Sequence, residues 1–320
     1  MKCSHCGKDA PERQRAKYGN RCPICQHPFV TNPAIDGLTD IAIKSAVNSV
    51  SGYGQFYFTK EQLTYELCRR LIKKKNNRMG IIFFSIFFLI ILAAKAPKFF
   101  LGIVFVIIFI KIISRLPVIS RRPDRGNVDS VGNLADDLVN RWFRINPHEK
   151  LLTQPLFEKS TVEKNNYLET VSFERVLICQ HNQTVDFFLG NLFHFHYACP
   201  ILGGDAYPES ICADMLQRLK KNPALQVFLL HDYSEEGRLF VEKIKNQAFW
   251  FGGCDVKFID LGLNKDDSQL FSKMTKGTSA ELALFLPGTL ISMCGAGINE
   301  NLPFNKISSI AAANSQNGYG

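Results

Sequence analysis

Residues 226–237 read QVFLLHDYSEEG: a short apolar run of strand-favouring side chains, then an abrupt change to polar and charged ones that closes on a glycine. An apolar run this short and unbroken fits a strand buried on both faces, and such strands belong to parallel sheets covered by helices. Related runs stand at 176–179 (VLIC), 200–202 (PIL) and 256–259 (VKFI). Helical stretches near 183–193, 208–221, 235–249 and 266–274 alternate with them. Strands alternating with helices predict an α/β domain over residues 171–304, a parallel sheet with helices on both faces.

In an open parallel sheet, ligands bind beyond the carboxyl ends of the strands. The polar groups that follow the four runs therefore nominate the candidate site: Gln180 with His181 beside it, Asp205, Asp232 with Glu236, and Asp260. Ser234 is also a natural cap for the helix after the third strand. His194 and His196 would have metal-like spacing only on a strand, and Gly203-Gly204 is too short for a phosphate loop.

The order and spacing of these runs resemble the Toprim family, the topoisomerase-primase catalytic domain. The likeness covers roughly residues 174–265 and rests on an apolar strand ending at Gln180, an interval of about 50 residues, then the run that ends His231-Asp232 with Glu236-Gly237 opening a helix. It implies a Toprim or flavodoxin-like sheet. In the family a glutamate follows the first strand and an Asp-x-Asp pair the third, and these carboxylates hold Mg²⁺ for phosphoryl transfer or strand cleavage. Here Gln180 stands in the place of the glutamate and Ser234 in that of the second aspartate, leaving Asp232 and Glu236. Glutamine is no anionic ligand, and serine offers Mg²⁺ only a neutral oxygen. The resemblance thus implies a domain with little or no catalysis.

At the other end of the chain, Cys3-x-x-Cys6 and Cys22-x-x-Cys25 are separated by fifteen residues. Residues 1–32 resemble a zinc ribbon: two such turns aim four thiolates at one ion and supply the folding energy that so small a unit lacks. Four thiolates leave no open coordination position, so the expected Zn²⁺ is structural. Residues 33–78 read as a small helical unit in which Thr59 and Gln62 have capping-box spacing and Leu63, Leu67 and Leu71 share a helix face. Residues 114–170 read as a connector with a short helix bearing Leu134, Leu138 and Trp142, and residues 305–320 as a disordered tail.

Between these lies the expectation of a transmembrane hairpin at 79–113. Residues 79–94 and 99–110 carry no charge, and Lys95-Ala96-Pro97-Lys98 makes a turn between them. Lys73, Lys74, Lys75 and Arg78 precede the first arm, and Arg115, Arg121, Arg122 and Arg125 follow the second. Read by the rule that basic residues stay inside, these flanks give an integral membrane protein with both termini cytoplasmic and the lipid bilayer as a partner. The rest of the composition agrees with that reading. Residues 1–125 hold 21 Lys and Arg against 7 Asp and Glu, while residues 126–320 hold 17 against 22, so the basic excess sits beside the apolar segment. An acidic large domain argues against nucleic acid as a partner. The ten cysteines, met with no signal peptide before Cys3, point to a reducing compartment. The expected role is a scaffold or sensor that binds a protein or small ligand; the alternative is a Mg²⁺-dependent nuclease or phosphotransferase using Asp232 and Glu236.

Overall fold

The computed structural model describes residues 1–72, 128–153, 155, 173–265 and 281–303. The chain divides into two compact units, Met1–Ala46 with Thr64–Pro147, and Val47–Leu63 with His148–Gly320.

In the first unit the cysteine-bearing segment is followed by Asp40, which is fully buried and opens the helix Asp40–Val50 (α1). Its carboxylate accepts hydrogen bonds from the backbone N–H groups of Val30 (3.0 Å) and Thr31 (2.9 Å) and from the Thr31 hydroxyl (2.7 Å). A buried carboxylate must be satisfied in this way, and here the requirement fixes where the cysteine segment ends and α1 begins. The backbone is also helical over 60–72 (α2), where Leu67 and Leu71 are buried as the four-residue spacing predicts. The helix Val128–Ile145 (α3) is longer than the short one expected: Val131, Ala135, Leu138, Val139 and Trp142 make its buried stripe, with Leu134 at the margin. Arg141 leaves that stripe to donate to the Val30 carbonyl (3.1 Å) and to Asp36 (2.7 Å).

The second unit contains the sheet. Strands Arg175–Cys179 (β1), Ile201–Gly203 (β2), Gln226–Leu230 (β3) and Lys257–Asp260 (β4) are all parallel, in the order β2-β1-β3-β4. Residues 176–179 and 227–230 are wholly buried, so both faces of the central pair are covered. The covering helices are Asn182–Gly190 (α4), Phe193–His196 (α5), Glu209–Leu219 (α6) and Glu235–Asn246 (α7). The sequence reading places all four strands within about a residue of these bounds. The helix expected at 266–274 and the tail at 305–320 lie outside the described residues. A helix that the reading did not expect, Pro287–Glu300 (α8), starts on a proline at its first turn and packs Gly295 so closely on the Tyr197 ring that a side chain there would overlap it.

The transmembrane expectation is corrected. Among the described residues no helix is long and apolar enough to cross a membrane, so a transmembrane hairpin, and the integral membrane placement with both termini cytoplasmic that followed from it, are not supported. Residues 79–113, on which both rested, lie outside the described residues. The physical weakness is length. A sixteen-residue arm rises only about 24 Å as a helix, against a hydrocarbon core of about 30 Å.

Candidate functional site

Two places gather chemistry-bearing side chains. In the first, Sγ of Cys3, Cys6, Cys22 and Cys25 all lie within 4.8 Å of one another, a cluster able to hold a metal ion. Two similar turns, nineteen residues apart in the chain, bring them there. The Cys3 N–H donates to the Lys8 carbonyl and the Cys22 N–H to that of His27, both at 2.9 Å; Gly7 and Gln26 close the turns by donating to the Cys3 and Cys22 carbonyls. Gly7 and Gln26 both take positive φ, +74° and +58°, which glycine accepts freely and glutamine does not. Cys3 and Cys22 pack with Ala10 and Phe29 in a small core that has little else to hold it together. Backbone N–H groups of Cys25 and Ile24 and side-chain hydrogen bonds from Cys25 and Cys6 pull the Cys22 thiol down to about 7 despite its burial. Four thiolates this close repel one another, so full ionisation requires a cation at their centre.

The second place is a cleft of about 480 Å³ within the α/β unit. In the order β2-β1-β3-β4 the connections leave β1 and β3 in opposite directions, and a crevice opens where they part. β1 delivers Gln180 and His181 to it, and β3 delivers Asp232 and Ser234. Glu236 comes from the first turn of α7, and Thr59, Glu61 and Gln62 from the segment Val47–Leu63 that belongs to this same unit. A short 3-10 turn, Leu282–Leu284, closes another side with Glu281 before it.

Asp232 is held at every polar atom that matters. Its Oδ2 lies 3.0 Å from His181 Nε2, its Oδ1 accepts from the Leu282 N–H at 2.7 Å, and its own N–H donates to Gln180 Oε1 at 3.0 Å. The hydrogen bond to Asp232 raises the His181 imidazole above its ordinary value, with Glu281 and Asp205 adding at longer range, against the opposing effect of partial burial.

Behind Asp232, His231 is boxed in. Its Nδ1 faces the Asp232 carbonyl oxygen (2.9 Å) and its Nε2 faces Asp260 Oδ1 (3.0 Å), which also accepts from the Gly262 N–H (2.7 Å). Both ring nitrogens meet acceptors, an arrangement that favours the doubly protonated imidazolium. Burial alone would lower its pKa; the hydrogen bonds to Asp260 and to the Asp232 carbonyl outweigh burial and raise it. Asp260, though burial works the other way, is held below its usual range by the same pair. A side chain at Gly262 would land on the imidazole, and one at Gly237 on the Asp232 carbonyl.

Of the residues nominated from sequence, Gln180, Asp232 and Glu236 therefore meet at one cleft. Asp205 and Asp260 do not: Asp205 is exposed beside Lys243 Nζ (3.3 Å), and Asp260 serves His231. Ser234 caps α7, its Oγ accepting from the Gly237 N–H at 3.0 Å. His194 and His196 fall on helical α5, where residues two apart point away from each other. The sequence reading placed His181 on the rim beside Gln180 but did not place Glu61 or Glu281 there. Glu61 lies 119 residues before Gln180 and Glu281 lies 49 residues after Asp232, and no local spacing announces either. Among the described residues, the four cysteines form the group of three or more ligand-type side chains close enough to share an ion; the cleft supplies no such group. Comparison with known protein families, with curated proteins and with solved structures finds no match to this chain.

Proposed function

We propose that the chain is a zinc-carrying, non-enzymatic sensor or scaffold protein whose α/β unit binds a small ligand in the cleft between β1 and β3. The observation that carries this reading is the state of Asp232. Both of its carboxylate oxygens are committed, one to His181 and one to the Leu282 N–H, and the residue bound to its backbone is a glutamine rather than an acid. A two-metal phosphoryl-transfer site needs several carboxylates with free oxygens around the ions. The Toprim likeness enters on the same terms: Asp232 after the third strand and Glu236 on the next helix are in its order, with the metal-binding acids depleted. Zinc is the metal that best fits four clustered thiolates, two buried and two partly buried, in a site closed to substrate.

The test is a Mg²⁺ and Mn²⁺ titration of the full chain, followed by thermal melting and by cleavage of single- and double-stranded nucleic acid. The expected result is neither stabilisation of the α/β unit nor cleavage. Gln180→Glu with Ser234→Asp should then create Mg²⁺-dependent stabilisation. Glutamate can still accept from the Asp232 N–H and aspartate is as good a helix cap as serine, so the double variant keeps its local hydrogen bonds. Cleavage by the unaltered chain, abolished by Asp232→Ala, would replace this reading with the nuclease one.

A further inference from the structure

We propose that the cleft is a site for a small organic cation, an ammonium or guanidinium group on a short apolar stem. The inference rests on the reading of the cleft as a ligand site and names the chemistry it would take. The cavity is large enough for a ligand of amino-acid size or somewhat larger, and it lies where this sheet order places ligands. Its charge is one-sided. Glu61, Asp232, Glu236 and Glu281 line it, with no lysine or arginine among the described lining residues and His181 as the one titratable base there, so a phosphate or carboxylate would meet net repulsion. Phe187 and Leu290 add an apolar wall for a stem. An inorganic divalent ion fits less well, because among the described residues the carboxylates do not converge within the reach of one ion. An extended cation with several N–H donors reaches separated acceptors instead.

The cleft already contains one titratable base of its own, His181, whose ring lies 3.0 Å from Asp232 and is a cation when protonated. The groups that bear on it come from every side of the site: Asp232 after β3, Glu281 before the 3-10 turn, Asp205 after β2, and Glu61 and Glu236 across the lining. While His181 carries its proton it repels an incoming cation; once it loses the proton, the negative charge of the lining acts on the ligand without that opposition. Cation affinity should therefore rise with pH as His181 titrates.

The experiment uses the full chain and four probes, n-butylguanidinium, n-butylamine, butyrate and inorganic phosphate, with binding read by calorimetry and melting at about pH 6 and about pH 8. The two cations should bind, more tightly at the higher pH, and Glu236→Gln with Glu281→Gln should weaken them by about tenfold or more. His181→Asn, which keeps a donor toward Asp232, should remove the pH dependence. Circular dichroism of both variants checks that they fold. Binding of butyrate or phosphate that is lost in His181→Asn would overturn the cation assignment while leaving a ligand site in the cleft. Failure of all four probes would overturn the assignment and the ligand-cleft reading together.

Discussion

His231 shows how one side chain can organise a site without entering it. It does not line the cleft, yet it holds the Asp232 carbonyl and thereby the turn that presents the Asp232 carboxylate. The His231–Asp260 pair gives a pH signature with two limits. An unfolded histidine titrates near 6.5 and the folded one higher, so the contribution of the pair is complete below the unfolded value and is lost as pH rises through the raised one. At the acid end, Asp260 titrates near 3.8 unfolded and lower when folded, so the contribution is lost as pH falls through the depressed value. It is one interaction and counts once. Asp260→Asn should thus cost on the order of 1 kcal/mol at about pH 6 in urea unfolding, with half-exposure of Asp260 limiting the loss, and much less at about pH 9. Equal losses at the two pH values would mean that the pair is not ionic. Gly262→Ala should be worse, roughly 1–3 kcal/mol, because the backbone or the ring must move to admit a Cβ.

At the scale of elements, the strands were legible because a doubly covered parallel strand writes its burial as a continuous apolar run, as at 176–179 and 227–230. The caps were legible because they are local. Thr59 and Gln62 form the reciprocal pair their spacing implied, with the Thr59 N–H donating to Gln62 Oε1 at 3.0 Å and the Gln62 N–H to Thr59 Oγ1 at 3.3 Å. Helix α8 was not legible: its sequence, PGTLISMCGAGINE, carries three glycines that lower helix propensity, and it forms because close packing on Tyr197 rewards a small residue. The cleft was half legible for a similar reason, since strand ends can be read along the chain while the segments that close over them cannot. Ser234 tests the local part. Ser234→Ala should lower stability by about 1 kcal/mol through the loss of the Gly237 N–H bond, and Ser234→Asp should restore it, as thermal melting will register. If alanine is as stable as serine, the cap contributes nothing and the turn is held by the His231 contacts alone.

For the whole molecule, the two units draw their stability from different sources, and removing metal should separate them. The α/β unit has a sheet whose central strands are fully buried, a core that owes nothing to an ion. The cysteine segment has Cys3, Ala10, Cys22, Phe29 and Val30 as buried apolar residues, with Met1, Cys6 and Cys25 partly buried around them, too small a core to offset the entropy of ordering about thirty residues. An ion held by the four thiolates would supply the missing stability, because binding to a site absent from the unfolded chain is itself folding free energy. One equivalent of zinc is therefore expected in the purified chain. A strong chelator, or Cys22→Ser, should release it and abolish amide-exchange protection at the turn N–H groups of Cys3, Gly7, Cys22 and Gln26. Strands 175–179 and 226–230 should keep their protection under the same treatment. Release should also be easier in acid, since protons compete with the ion for the thiolates. Retained protection across residues 1–32 with no metal bound would show that this segment folds on its own core and would end the case for a structural ion.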